Sequence, residues 1–95
     1  MDVALPETEQ IIIEAIMVKY RAKNVEFHAM RTRQAASRRF LSVHMLVPGN
    51  WTVHDAHHIA EDFEGDVRAG IGDAIISTHL EPVDDEISIH DIHEK

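Results

Sequence analysis

Eight of the 95 residues are histidine, and the chemistry they suggest is the binding of divalent metal ions. Imidazole is the commonest metal ligand in proteins and suits zinc and neighbouring transition metals. The chain has no cysteine, which excludes thiolate sites and disulfides. Because a count of histidines does not separate ligands from surface residues, the position of each one has to be considered.

His79 and Glu81 are two residues apart in a segment predicted to be a strand, so their side chains share one face. An imidazole beside a carboxylate is a suitable pair of ligands for a divalent metal. His28 and His44 lie across a predicted hairpin from each other. An odd number of turn residues centred on Ala36 sets these histidines opposite each other, with Cβ atoms roughly 5 Å apart. An even turn sets them on opposite faces.

One surface collects all of these side chains only if the third predicted strand joins the hairpin in a single sheet. Four ligands then converge on one face of that sheet: His28, His44, His79 and Glu81. A scatter of unrelated surface histidines is the alternative interpretation, and it is favoured for any one of them taken alone.

Three more histidines fall in a predicted helix, where His57 lies about 90° from the centre of the apolar stripe. It could serve a metal at the sheet or on a partner chain. His54 and His58 are separated by one helical turn and are predicted to face solvent. The flanking residues lack a His-Glu-x-x-His pattern, which excludes a zinc hydrolase of that kind. His90 and His93 fall in a predicted tail and are interpreted as surface residues.

Hydrophobic periodicity predicts the elements that position these residues. Thr52, followed by Asp55, resembles the cap that begins a helix. The order helix, strand, strand, helix, strand predicts an α+β domain with both helices on one face of a three-stranded sheet and the other face uncovered. The predicted elements span residues 6–20, 25–34, 37–47, 53–69 and 74–83. Residues 1–5 are expected to lead into the domain, 6–83 to form it, and 84–95 to be a flexible, acidic, histidine-containing tail.

The composition narrows the classes of function. A formal charge of −8 argues against nucleic acid as a partner and favours cations. No apolar run approaches the roughly 18 residues of a membrane span, so this segment cannot transport an ion by itself. We find no phosphate-binding glycine loop, nucleophile elbow or acid/base dyad, and therefore predict that the chain is not an enzyme.

Five short motifs resemble, in order, those of the cytoplasmic C-terminal domain of the cation diffusion facilitators, a family of metal/proton antiporters. Residues 28–33 read His-Ala-Met-Arg-Thr-Arg and match a His-x-x-Arg-Thr-Arg hairpin, and residues 78–82 read Thr-His-Leu-Glu-Pro as in the last strand of that domain. The resemblance runs from about residue 2 to residue 83. It implies a ferredoxin-like αββαβ fold and a homodimer beneath the transporter's own transmembrane domain, on the cytoplasmic side.

The resemblance also implies a regulatory role, in which metal at the dimer interface draws two domains together in a transporter of zinc or of Fe²⁺, Mn²⁺, Co²⁺, Cd²⁺ or Ni²⁺. The metal ligands that it implies are His28, His44, His57, His79 and Glu81. One departure is Glu81, whose position is Asp in some zinc-transporting members. Two alternatives stay open: a stand-alone metal buffer or chaperone of the same fold, and a ferredoxin-like assembly domain without a metal role.

Overall fold

The structure is a computed structural model that describes residues 3–83. All five predicted elements are present in the predicted order, and their bounds agree with the predicted ones to within two residues. The predicted tail, 84–95, lies outside the described residues. The elements are α1 (Glu7–Arg21), β1 (Glu26–Ala35), β2 (Arg38–Val47), α2 (Val53–Ile71) and β3 (Ile75–Pro82).

The three strands form one mixed sheet in the order β1-β2-β3. β1 and β2 are an antiparallel hairpin, whereas β2 and β3 run parallel and are connected through α2. A parallel pair requires such a crossover, and the predicted α+β architecture is confirmed. An isolated bridge joins Val3 to the end of β1, with hydrogen bonds of 3.3 and 2.6 Å to and from the backbone of Gln34.

The hydrophobic core lies between the two helices and one face of the sheet. The ring of Phe63 on α2 is fully buried and packs edge-on against Tyr20 of α1, with centroids 5.6 Å apart. It also lies 5.0 Å from the ring of Phe27 on β1. Both helices therefore cover the same face, and they do so through the alternate, apolar residues of β2: Leu41, Val43 and Met45.

Two polar clusters hold α1 against the rest of the domain. Arg39 of β2 donates two hydrogen bonds of 2.7 and 2.8 Å to Glu9, and these hold the pKa of that carboxyl below its ordinary value. The Tyr20 hydroxyl donates to Asp66 of α2 at 2.6 Å, and Lys19 lies 2.9 Å from the same oxygen. The Tyr20 hydrogen bond, followed by that of Lys19, lowers the pKa of Asp66.

The start of α2 is set by its cap. Thr52 caps α2 as predicted, its hydroxyl oxygen accepting the backbone N–H of Asp55 at 3.0 Å.

Among residues 3–83, neither helix combines the length and the apolar character that crossing a membrane requires.

Candidate metal centre

The turn of the β1–β2 hairpin is the even one of the two alternatives left open by the sequence. Ala35 pairs with Arg38, so the turn holds two residues, Ala36 and Ser37. Ala36 adopts a positive φ of 56°, which allows the chain to reverse in so few residues. Continued without interruption, this register would put His28 and His44 on opposite faces of the sheet.

A β-bulge in β1 reverses that outcome. The register shifts between residues 28 and 31, so Ala29 and Met30 together oppose Val43. Ala29 adopts a φ of 53°, in the left-handed region that costs alanine roughly 1 kcal/mol. Because one extra residue inverts the faces of all residues beyond it, the bulge brings His28 directly opposite His44.

Three of the predicted ligands form a row across the sheet. His44 on the central strand pairs with His28 on one side and with His79 on the other. The rings of His44 and His79 are stacked, with centroids 5.1 Å apart and planes inclined by 16°. This histidine row lies on the face that neither α1 nor α2 covers.

Glu81 joins the histidine row from β3. Its Oε2 is in direct contact with Nδ1 of His44, and the Glu81 side chain is only 17% exposed. A carboxylate at Nδ1 fixes the orientation of an imidazole and leaves Nε2 to face outward. Glu81 thus lies where it can either bind a metal beside His44 or orient that ring.

His57 is not part of the row. It lies on α2, in the other layer of the domain, with a side chain that is 67% exposed and an Nε2 atom 3.4 Å from Glu61. His54 and His58 of the same helix are exposed, as predicted. Within one chain, the predicted ligands therefore divide into the sheet group and His57 alone.

Distances across the row limit what it can bind. Adjacent strands lie about 4.8 Å apart, so the backbones that carry the two outer histidines are separated by roughly twice that distance. Zinc binds imidazole nitrogen at about 2.1 Å, so two nitrogens on one ion lie at most about 4.2 Å apart. In the side-chain conformations of this structure, no three His, Asp or Glu side chains within residues 3–83 are arranged to hold one ion. A single chain therefore offers an ion a neighbouring pair of the row rather than the whole row.

Ser77 adjoins the histidine row but is not among the predicted ligands. Its hydroxyl lies 3.3 Å from Nε2 of His79, two residues along the same face of β3. The alternation that grouped His79 with Glu81 would have found it. Towards the hairpin turn the same face becomes basic, and the guanidinium of Arg33 lies 3.7 Å from the centroid of the Phe40 ring.

Comparison with known proteins assigns a family. The profile of the cytoplasmic domain of cation efflux proteins matches residues 5–83. A transporter of Synechocystis sp., the uncharacterized sll1263, is 40% identical over 85 residues, which are 90% of this chain and 27% of that protein. The cation-efflux pump FieF of Pectobacterium atrosepticum is 32% identical over 83 residues, 87% of this chain and 27% of the pump. The chain thus spans about a quarter of these relatives.

Solved structures agree with the sequence match. CzrB in its zinc form superposes with a TM-score of 0.74 at 30% identity, covering 87% of this chain and 94% of that one. The metal-bound C-terminal domain of the CzcD transporter from Thermotoga maritima gives 0.69 at 25% identity, with 86% and 99% covered. Both structures come from transporters. The chain therefore belongs to the family of cytoplasmic domains of cation efflux proteins, the cation diffusion facilitators.

Proposed function

We propose that this chain is the metal-sensing cytoplasmic domain of a divalent-cation efflux transporter, a metal/proton antiporter whose preferred ion is zinc. The observation that carries the proposal is the row of three histidines with Glu81 on the uncovered face of the sheet. Imidazole and carboxylate are ligands that zinc and the related ions Fe²⁺, Mn²⁺, Co²⁺, Cd²⁺ and Ni²⁺ accept. The zinc form of CzrB and the metal-bound CzcD domain support a metal role for the fold.

The shortage of ligands in one chain favours a homodimer. A structural zinc ion takes four ligands, and each neighbouring pair in the row supplies two imidazoles, with Glu81 beside one of them. A second copy facing the row can supply the remainder. His57 is exposed on the opposite layer of its own chain, so we expect it to reach the row only from the partner subunit. The proposed metal ligands are therefore His28, His44, His79 and Glu81 with the partner's His57.

Sharing metal between two chains explains how the domain would sense concentration. An ion that binds only the associated state stabilises it by about 2.7 kcal/mol when its free concentration is a hundred times the dissociation constant. Rising metal therefore draws the two domains together. In a full-length transporter, this movement would bias the transmembrane domain.

Calorimetric titration with Zn²⁺ tests the site. The triple variant His28→Ala, His44→Ala, His79→Ala should lose the tight binding step. His54→Ala is the matched control, since it removes an exposed imidazole from α2 and should leave that step unchanged. Equal tight binding by the triple variant and the unmodified chain would contradict the assignment.

Sedimentation with and without Zn²⁺ tests the second half of the proposal. We expect zinc to shift the chain from monomer towards dimer, or to make an existing dimer more compact. The triple variant should not respond. An association state that is indifferent to zinc in the unmodified chain would favour the alternative of an assembly domain without a metal role.

A further inference from the structure

We propose that the outward side of α1 binds the same side of a second copy of this chain, with the two helices antiparallel. Four exposed apolar residues, the outer stripe of α1, make the contact: Ile11, Ala15, Val18 and Ala22. Because α1 lies in the layer opposite the open face of the sheet, this contact uses neither the histidine row nor a metal ion. It is therefore independent of the proposed sensing function.

The outer stripe lies on the side of α1 that faces away from the core. At 100° per residue its four members fall within about 60° of one another around the helix. The buried residues Ile13, Met17 and Tyr20 lie on the opposite side. Ile11 and Val18 are nevertheless large apolar residues, each 60% exposed. α1 is thus apolar on two opposite sides, which is typical of a helix that is buried on both.

The outward side of α2 is different. The positions opposite its buried residues hold His54, His58 and Asp62, which are all exposed. Polar residues at such positions are typical of a helix that faces water. Since both helices cover the same face of the sheet, the apolar outer stripe distinguishes α1 as the helix that has a further partner.

The sizes of the side chains in the outer stripe match those of a second, antiparallel copy. A two-fold axis centred between residues 16 and 17 puts Ile11 of one copy beside Ala22 of the other, and Val18 beside Ala15. Each large side chain then meets a small one, which lets the two helices approach closely.

The charges along α1 favour the same orientation. All acidic residues of the helix precede its basic ones, so antiparallel helices bring unlike charges together and oppose their dipoles. Glu14 and Arg21 lie on one flank of the outer stripe, and a two-fold axis brings this flank of both copies together. Glu14 of each copy then lies near Arg21 of the other. Within one chain these two side chains make only a long, exposed contact of 3.9 Å, so both can pair with a second copy.

The contact is small. A shallow groove of about 500 Å³ between α1 and α2 adjoins the outer stripe at Ala15 and adds the side chains of Ile12 and Ile16 to its apolar surface. A pair of four-turn helices still buries less than the roughly 1,200 Å² of a standard stable interface. We therefore expect the association to be weak and to depend on protein concentration.

Sedimentation equilibrium of the whole chain in EDTA, at rising protein concentration, tests the contact. We expect reversible self-association, and Ile11→Gln and Val18→Gln should each raise its dissociation constant about tenfold or more, because each substitution acts twice in a symmetric pair. Glutamine forms helix at least as well as isoleucine and valine, so α1 is kept. Val53→Gln is the matched control, since Val53 is 86% exposed at the start of α2 and its replacement should leave the association unchanged.

An exchange of charges tests the orientation. Glu14→Lys and Arg21→Glu should each weaken self-association at low salt, because each places like charges at both symmetric contacts. An equimolar mixture of the two variants should associate as the unmodified chain does, since opposite charges meet again at both contacts. A mixture no better than either variant alone would contradict the antiparallel arrangement.

Three other results would overturn the proposal. The first is a chain that stays monomeric up to about 1 mM, and the second is association that the two glutamine variants of α1 leave unchanged. The third is association that requires residues 84–95, which would make that segment the occupant of the outer stripe. Because EDTA removes metal from every sample, failure here would leave the zinc calorimetry of the histidine row unaffected, and the two proposals can be separated.

Discussion

One face of the sheet is apolar and sealed by α1 and α2, whereas neither of these helices covers the opposite face, which carries three histidines. From Leu41 to Met45 of β2 the two characters alternate residue by residue, with Val43 fully buried beside the half-buried His44. The two faces therefore differ in role. The sealed face supplies stability through buried apolar area, and the open face holds the proposed ligands, whose replacement lowers the free energy of unfolding less.

The largest expected effect on stability comes from a substitution on the sealed face, with a substitution on the open face as its comparison. Phe63→Ala removes a fully buried ring that contacts both helix and sheet, and should lower the free energy of unfolding by about 4 kcal/mol. His44→Ala on the open face should lower it by only about 1 kcal/mol, the value of the lost contact with Glu81. Urea denaturation without metal measures both. A comparable loss from His44→Ala would mean that the open face also supports the fold.

Deletion of both Ala29 and Met30 should break the separation between the faces. These two residues together oppose Val43, so without them His28 would precede Arg31 directly and face the core, with Phe27 towards solvent. We expect a loss of about 2 kcal/mol in the free energy of unfolding, the value of one large buried apolar side chain, together with weaker zinc binding. Deletion of Ala29 alone is the control, because Met30 then opposes Val43 and the pairing of His28 with His44 is kept. Denaturation and calorimetry check both variants, and unchanged zinc affinity after the double deletion would show that the number of residues in the bulge does not determine the face of His28.

Low pH should weaken the polar contacts that hold α1, those of Glu9 and Asp66, which lie away from the open face. Glu9 and Asp66 have pKa values below their ordinary 4.5 and 3.8. Between the lowered and ordinary values the unfolded chain binds more protons, so stability is lost as the pH falls through that window. Both carboxylates are partly exposed, so each contributes at most about 1 kcal/mol. Glu9→Gln and Asp66→Asn should each flatten the dependence of stability on pH below 4.5, measured by urea denaturation.

The smallest expected effect is a gain in stability at the bulge. Ala29→Gly relieves the left-handed backbone of the bulge at some cost in chain entropy, and should stabilise the domain by about 0.5 kcal/mol. Zinc binding should be unchanged because the register is kept. Thermal denaturation and calorimetry of this variant, beside Ala35→Gly as a control within the same strand, measure both quantities. A destabilised Ala29→Gly would show that the bulge is not strained.

The regular elements could be predicted because their apolar residues recur with the period of a helix or a strand. Ile13, Met17 and Tyr20 are the buried residues of α1 and follow helical spacing, and Leu41 to Val47 of β2 include alternate buried residues. Periodicity also assigned His79 and Glu81 to one face of their strand, as the structure has them.

The hairpin irregularities could not be predicted. Both the turn and the bulge place alanine, at Ala36 and Ala29, in a conformation usually marked by glycine or asparagine. The turn is the even alternative, which by itself would place His28 and His44 on opposite faces, and the bulge adds the residue that brings them opposite each other. The position of His57 relative to the row depends on layer packing, which helix phase alone does not specify.

The bridge between Val3 and Gln34 has a mechanical consequence. Two backbone hydrogen bonds fasten the segment before α1 to the far end of β1. A force on the chain at Val3 is therefore transmitted to β1 through these hydrogen bonds as well as through α1. Because the same strand bears His28, a displacement of the amino-terminal segment is coupled to the position of one imidazole of the row.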